Sequence, residues 1–213
     1  QNNNNMIYDQ LIKGEKKIAL VGLGYVGLPI ALEFAKVCDV IGFDINEGRV
    51  EMMRNGIDPS SEVPKSEFDN KRIKFTSNLE GLKEASFYIV AVPTPINDQK
   101  LPDLRPILSA SKTIGQVVSK GDYVVYESTV YPGCTEDDCI PVIEELSGLK
   151  SVEDFKIGYS PERINPGDKV NTLRTIKKIV SGCDNESLDQ IAKTYELVVD
   201  AGVHRAPSIK VGE

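Results

Sequence analysis

The stretch Lys17-Ile-Ala-Leu-Val-Gly-Leu-Gly-Tyr-Val-Gly-Leu-Pro29 decides the fold. Residues 17–21 are apolar apart from the first, which predicts a buried β-strand. The three glycines that follow have the spacing G-x-G-x-x-G. An apolar segment of helical length, residues 25–36, comes next. A strand, a glycine-rich turn and a helix in this order are typical of the first βαβ unit of a nucleotide-binding sheet.

Each glycine of this turn meets a separate steric requirement. Gly22 permits the tight turn, Gly24 lets the backbone approach a pyrophosphate, and Gly27 lets the helix pack closely against the strand. The start of the helix offers free N–H groups and a partial positive charge to a phosphate. We therefore expect this turn, including Tyr25 and Val26, to bind a dinucleotide. The alternative is a turn without a ligand, because a chain with 17 glycines produces such spacings by chance.

The acid that ends the second predicted strand, residues 40–43, indicates which dinucleotide binds. Asp44 follows the glycine turn by about 20 residues, the place of a carboxylate that accepts hydrogen bonds from the adenosine ribose. The same charge repels a 2′-phosphate, so NAD is favoured over NADP. Arg49 is an opposing signal, since an arginine accommodates that phosphate; we interpret Arg49 as packing near the adenine. A methyltransferase also places an acid here, but the three-glycine spacing fits it less well.

Strand-like and helix-length segments alternate along the rest of the chain, which predicts an α/β fold. We expect a doubly wound, mostly parallel Rossmann-type sheet with helices on both faces. Asn46 and Asn78 are predicted helix N-caps. The further predicted strands are 73–75, 87–92, 123–126, 156–159 and 176–181, with an extended segment at 203–209. The further predicted helices are 47–55, 78–83, 105–118, 135–146 and 186–198.

One domain, residues 14–213, is the simplest organisation. The polar start of the chain lacks the order of charged and apolar residues of a signal peptide. Residues 1–13 are therefore expected to be an N-terminal extension, or a remnant of cloning with a disordered start.

Composition excludes several classes of function. The net charge of -7 argues against a nucleic-acid partner, whose phosphates need a basic surface. No apolar run reaches the length of about 18 residues that spans a membrane, so the cytoplasm is the expected compartment. The four cysteines form no CxxC pair, and His204 is the only histidine. We therefore expect reduced thiols and no metal.

Three more loops at the predicted carboxyl ends of strands carry polar chemistry. Pro93-Thr94-Pro95 is a stiff segment that presents a hydroxyl, or simply a rigid turn. In residues 127–133, small hydroxyl side chains are placed to orient a water or a nicotinamide. Glu162, after the strand at 156–159, is a candidate base or polar anchor, or a surface carboxylate. Ligands bind at this edge of an open α/β sheet, which favours the functional interpretation.

Five motifs in order resemble the UDP-glucose/GDP-mannose dehydrogenase family from about residue 16 to the C-terminus. The family oxidises C6 of a nucleotide-linked sugar from an alcohol to a carboxylate with two NAD, through a cysteine-bound thioester that water hydrolyses. The motifs are ValGlyLeuGlyTyrValGlyLeuPro (21–29), GlyPheAspIleAsn (42–46), AlaValProThrPro (91–95), GluSerThrValTyrProGly (127–133) and TyrSerProGluArgIleAsnProGly (159–167).

The resemblance implies roles for individual residues. Thr129 helps to position the catalytic water near the nicotinamide, and Glu162 matches a glutamate implicated in thioester hydrolysis. Arg163 is implied to shape the sugar or phosphate site together with Glu162. The run 163–167 resembles the N-acetylmannosamine and N-acetylgalactosamine branch, so we expect a UDP-N-acetylhexosamine as the substrate.

The resemblance also implies cofactor contacts. Pro93, Thr94 and the backbone of Gly24–Val26 match residues that contact NAD, and Asp44 and Arg49 match residues at its adenosine end.

One departure from the family pattern is large. The catalytic lysine and asparagine of the family, and its nucleophilic cysteine, belong to segments that follow this point. None of the four cysteines lies in the expected motif. We therefore expect the N-terminal part of a longer, homodimeric enzyme. The alternatives are a stand-alone NAD-binding or NAD-sensing module, and the cofactor domain of another two-domain hydroxyacid dehydrogenase, against which the SerProGluArg loop argues.

Overall fold

A computed structural model describes residues 6–69, 72–128, 130, 133–162 and 172–213. Within these ranges eight strands form one sheet in the order β3-β2-β1-β4-β5-β6-β7-β8. The strands are β1 Ile18–Val21, β2 Val40–Phe43, β3 Ile73–Thr76, β4 Phe87–Val90, β5 Tyr123–Tyr126, β6 Lys156–Tyr159, β7 Lys178–Gly182 and β8 Val203–Arg205.

Helices cover both faces of the sheet. They are α1 Ile7–Ile12, α2 Gly27–Phe34, α3 Glu47–Arg54, α4 Leu79–Leu82, α5 Arg105–Val117, α6 Ile140–Ser147, α7 Asn185–Glu196 and α8 Ile209–Gly212. A 3₁₀ turn spans Lys65–Phe68, and a π-helical turn, Thr135–Cys139, runs directly into α6. Asn46 and Asn78 accept backbone N–H bonds at the starts of α3 and α4, as predicted.

The core consists of two apolar layers separated by the sheet. Successive residues of β1 alternate between them, because side chains of a strand point to opposite faces. Ile18 belongs to the layer beneath α1, α2 and α7, whereas Ala19 belongs to the layer beneath α4, α5 and α6. The predicted doubly wound α/β fold is therefore confirmed.

The register of the parallel strands places their carboxyl ends along one line. Val21 at the end of β1 pairs with Phe43 of β2 on one side and with Val90 of β4 on the other. The line continues through Tyr126 and Tyr159, the last residues of β5 and β6. The strand order reverses at β1, which opens a crevice between the loops after β1 and β4.

The C-terminal side of the sheet contains one antiparallel strand and one strand that is shorter than predicted. β7 runs antiparallel to β6, with Tyr159 opposite Ser181. The segment predicted to be extended over 203–209 is a strand only to Arg205. A short helix, α8, follows because the Ser208 side chain accepts a hydrogen bond from the Val211 N–H.

The predicted N-terminal extension contains a helix that belongs to the core. Leu11 and Ile7 of α1 are buried, and the Tyr8 N–H donates to the Gln190 side chain on α7 at 2.9 Å. The apolar pair at positions i and i+4 is the signal that indicates this helix.

Asp122 gives a testable link between burial and stability. It lies in the turn before β5, is 6% exposed, and accepts the Ser119 N–H at 2.8 Å. Burial raises its pKa from 3.8 to about 7, although the Ser119 N–H and Lys16 act in the opposite direction. Between about pH 4 and pH 7, Asp122 in the native state therefore keeps a proton that the same side chain has released in the unfolded chain. Stability should fall as the pH rises from about 4 to about 7.

We expect Asp122→Asn to flatten this decline, because the asparagine oxygen can still accept the Ser119 N–H without carrying a charge. The variant should be more stable than the unmodified chain at pH 8 and equal to it near pH 4, as measured by thermal unfolding. The exposed Glu145→Gln is the matched control. An unchanged pH profile in Asp122→Asn would contradict this account.

Candidate functional site

The crevice beside β1 is a cleft of about 330 Å³. Its walls are the glycine turn after β1, residues 43–45 after β2 and residues 91–93 after β4. One face of α5 closes the fourth side with Pro106, Ser109, Ala110 and Thr113. The α5 wall lies outside the sequence motifs that predict the site. The spacing of these four positions, which places them on one helical face, is the signal that could have found it.

The three glycines of the turn differ in what they exclude. Gly22 has φ +99°, and a Cβ on Gly27 would lie 1.8 Å from the Gly22 carbonyl oxygen. No atom lies within 4 Å of the position that a Cβ on Gly24 would take. The fold itself therefore requires glycine at positions 22 and 27, while position 24 faces open space at the cleft.

Backbone N–H groups from the turns after β1 and β2 hold the carboxylate of Asp44. Its two oxygens accept the N–H groups of Leu23 at 3.3 Å and of Asn46 at 3.0 Å. The side chain is 15% exposed, so it lies at the wall of the cleft and keeps lone pairs available.

Arg49 is held next to this carboxylate. Its Nε lies 3.9 Å from Asp44 Oδ2, and its guanidinium donates to the Leu23 carbonyl at 3.3 Å. The positive charge of Arg49 is therefore paired with Asp44 at the wall of the cleft.

The remaining predicted cofactor residues are divided between the two rims. Val26 is the N-cap of α2, and half-exposed Tyr25 precedes it. Pro93 lines the opposite rim, and Thr94 follows it in the stem of a loop. A hydrogen bond from the Asp103 N–H to the Pro95 carbonyl closes this loop. The turn and this stem are brought together because Val21 and Val90 lie side by side.

Glu162 lies farther along the same edge of the sheet. Its N–H donates to the Glu127 carbonyl at 3.2 Å, which joins the loop after β6 to the loop after β5. Thr129 and Arg163 lie outside the described residues, so their roles remain predictions. Glu127 itself forms a buried ion pair with Lys178. No local sequence pattern predicts this pair, because the two positions are 51 residues apart.

The four cysteines form neither a disulfide nor part of a metal-binding group in the described part of the chain. Cys38, Cys134 and Cys139 are buried and Cys183 is half-buried, and all four are free thiols. Burial raises the pKa of the Cys38 thiol to about 11. In the described part of the chain, no three His, Cys, Asp or Glu side chains are grouped to hold a metal ion. The helices described there are all too short or too polar to cross a membrane.

A glycine turn and a β2 carboxylate at the switch point of a doubly wound sheet define a dinucleotide-binding domain of the dehydrogenase class. Residues 16–199 match the NAD-binding domain of the UDP-glucose/GDP-mannose dehydrogenase family, and the chain belongs to this family. The resemblance seen in the motifs, and NAD as the cofactor, are thereby confirmed.

Individual relatives show how much of a family member this chain represents. It is 56% identical to protein CapL of Staphylococcus aureus and 52% identical to a UDP-N-acetyl-D-glucosamine 6-dehydrogenase of Salmonella typhi. Each alignment covers 93% of this chain and 47% of the relative. The structure of a UDP-D-ManNAc dehydrogenase from Pyrococcus horikoshii superposes with a TM-score of 0.82 at 30% identity, over 92% of this chain and 48% of that one. The chain thus spans about half the length of these relatives.

The glycine geometry makes a prediction about stability. Gly27→Ala should destabilise the chain by more than about 3 kcal/mol, because the new methyl overlaps a backbone carbonyl that cannot move independently. Gly24→Ala should change the stability by less than about 1 kcal/mol, since its methyl enters open space. Urea unfolding of both variants measures the difference. Equal losses of stability would show that the turn does not have this geometry.

Proposed function

We propose that this chain is the NAD-binding half of a UDP-N-acetylhexosamine 6-dehydrogenase, which oxidises the C6 alcohol of the sugar to a carboxylate. The observation that carries the proposal is the placement of Gly24 and Asp44 on one cleft at the switch point of the sheet. The proposed sugar specificity rests on the relatives, because this chain spans about half of their length.

The cleft accommodates the adenosine end and the pyrophosphate of the cofactor. The turn at Gly24 would hold the pyrophosphate, because no side chain obstructs it there and α2 begins beside it. Asp44 would accept hydrogen bonds from the ribose hydroxyls, and Ile45 and Thr113 line the part of the cleft that would hold the adenine. NAD is preferred over NADP, because Asp44 repels a 2′-phosphate and Arg49 is already paired with Asp44.

The loops after β4, β5 and β6 would hold the nicotinamide end of the cofactor. Pro93 and Thr94 contact the cofactor there, and Thr129 orients the water. NAD held there would supply the hydride acceptor for each of the two oxidations. Glu162 takes a proton from the water that hydrolyses the thioester between the oxidised sugar and the enzyme. Arg163 shapes the substrate site together with Glu162.

UDP-N-acetyl-D-glucosamine is the first choice of substrate. Two UDP-N-acetyl-D-glucosamine 6-dehydrogenases are 52% and 53% identical to this chain, whereas two UDP-N-acetyl-D-mannosamine dehydrogenases are 32% and 34% identical. The epimer at C2 is the second candidate. The complete enzyme acts in the cytoplasm as a homodimer, with a nucleotide sugar as its partner and with neither nucleic acid nor membrane.

Removing the Asp44 carboxylate tests the cofactor preference. Asp44→Ala should weaken NAD binding about tenfold and reduce the preference for NAD over NADP. The tenfold change corresponds to a loss of about 1.4 kcal/mol, as expected for ribose hydrogen bonds to a charged acceptor. Calorimetry with both cofactors measures this. Asp39→Ala is the matched control. It removes an acid that pairs with Arg72 and lies directly before the first residue of β2, at the end of the strand away from the cleft. Equal affinity of the unmodified chain for NAD and NADP would refute the assignment.

The chain by itself should bind NAD without completing the oxidation. Its sheet edge forms one wall of a site, and positioning a substrate between two walls supplies roughly 7–11 kcal/mol of the barrier reduction. Mixing the chain with NAD and a panel of UDP-sugars should give no sustained NADH absorbance, while the full-length enzyme should prefer UDP-N-acetylhexosamines. Sustained turnover by the chain alone, or a preference of the full-length enzyme for UDP-glucose, would overturn the proposal.

A further inference from the structure

A buried charged cluster lies beneath the loops after β5 and β6. It consists of Glu127, Lys178 and Tyr195. Lys178 Nζ is 2.6 Å from Glu127 Oε2, and the Tyr195 hydroxyl donates to Glu127 Oε1 at 2.5 Å. The Glu127 side chain is 0% exposed and that of Lys178 is 6% exposed. A buried ion pair contributes little to stability compared with apolar side chains of the same size, so stability alone is a weak reason for this cluster.

Distant elements contribute the three side chains. Glu127 follows β5, Lys178 begins β7, and Tyr195 lies in the last turn of α7. The ammonium of Lys178 also lies 5.6 Å from the centre of the Tyr195 ring, which in turn packs edge-on against Phe34 of α2. The cluster is therefore anchored in the rigid core beneath the site.

The polar groups of the cluster hold the segment that carries Glu162. Lys178 Nζ donates to the Pro161 carbonyl at 3.4 Å, and the Glu162 N–H donates to the Glu127 carbonyl at 3.2 Å. Ser160 is fixed next to them, because its hydroxyl donates to the Ile179 carbonyl at 2.7 Å. The backbone on both sides of Pro161 is thus bonded to the ion pair or to its neighbours.

The same framework extends to the loops after β4 and β5. The Ser128 hydroxyl donates to the Val92 carbonyl at 2.5 Å, and the Tyr159 hydroxyl donates to the Ser128 carbonyl at 2.9 Å. Val92 precedes the Pro93 rim of the cleft. Displacing Glu127 would therefore move three loops that meet at the proposed reaction site.

Electrostatics explain why the cluster contains a cation. Burial raises the pKa of Glu127, Lys178 lowers it, and the nearby Glu162 raises it again. Burial also raises the pKa of Tyr195, so its hydroxyl keeps the proton that it donates to Glu127. Lys178 thereby offsets the repulsion between the Glu127 and Glu162 carboxylates.

We propose that Lys178, Glu127 and Tyr195 form a positioning cluster that holds the backbone at Pro161 and Glu162, and through it the Glu162 carboxylate, for the hydrolytic step. The inference rests on the proposed function. None of the three side chains contacts the substrate; each acts through the loop that carries Glu162.

The test uses the full-length enzyme, with Lys178→Met and Tyr195→Phe as single variants. The double variant Glu127→Gln/Lys178→Met removes the cation without leaving an unpaired buried charge, which protects the fold. Lys193→Met is the matched control, since it removes a half-exposed lysine of α7 that pairs with Asp189. Stopped-flow NADH traces, intact-protein mass spectrometry and hydrogen exchange at Ser160–Glu162 are recorded for each.

We expect the double variant to fold, to keep the KM for NAD within about twofold, and to lose at least about tenfold in kcat. NADH should appear in a burst, a covalent sugar–enzyme intermediate should accumulate, and the amide of Glu162 should exchange faster. Tyr195→Phe should show the same pattern more weakly, and Lys193→Met should match the unmodified enzyme.

The other possible outcomes refute either the proposed function or the positioning role of the cluster. Absence of UDP-sugar oxidation by the unmodified enzyme refutes the proposed function, whereas the hydrogen-exchange result still reports on the cluster. A double variant with unchanged kcat and exchange overturns the positioning role. So does a double variant that cannot fold, or one whose activity falls only in proportion to its folded fraction, because the cluster would then serve the fold alone.

Discussion

The contact between Gly27 and the Gly22 carbonyl is the constraint on which the site depends. A Cβ at position 27 would lie 1.8 Å from that oxygen, so α2 can approach the end of β1 only without a side chain there. This approach directs the start of α2, with its free N–H groups, towards the crevice beside the switch point.

A common register carries this local geometry across the sheet. Because β1, β2, β4, β5 and β6 end side by side, loops that are far apart in the chain become neighbours. Asp44 is thereby placed at one end of the edge and Glu162 towards the other. An elongated ligand with an adenosine at one end and a reacting ring at the other suits such a row of loops.

The two regions of this edge use polar groups differently. In the cleft, Asp44 is held by backbone N–H groups and keeps acceptor capacity at a surface that a ligand can reach. Beneath the loops after β5 and β6, Glu127 is fully enclosed, and the described bonds of its side chain come from Lys178 and Tyr195. The first arrangement suits recognition, and the second suits a framework that holds loops in place.

The sequence by itself determined the α/β alternation, the glycine turn, the acid after β2 and the N-caps at Asn46 and Asn78, because each depends on residues close together in the chain. The motifs also determined the family. Only the tertiary structure decided that α1 belongs to the core, that β7 is antiparallel, that α5 forms a wall of the cleft, and that Lys178 pairs with Glu127. These features depend on contacts between distant segments, and a local pattern records the type of a side chain but not the partner that folding brings beside it.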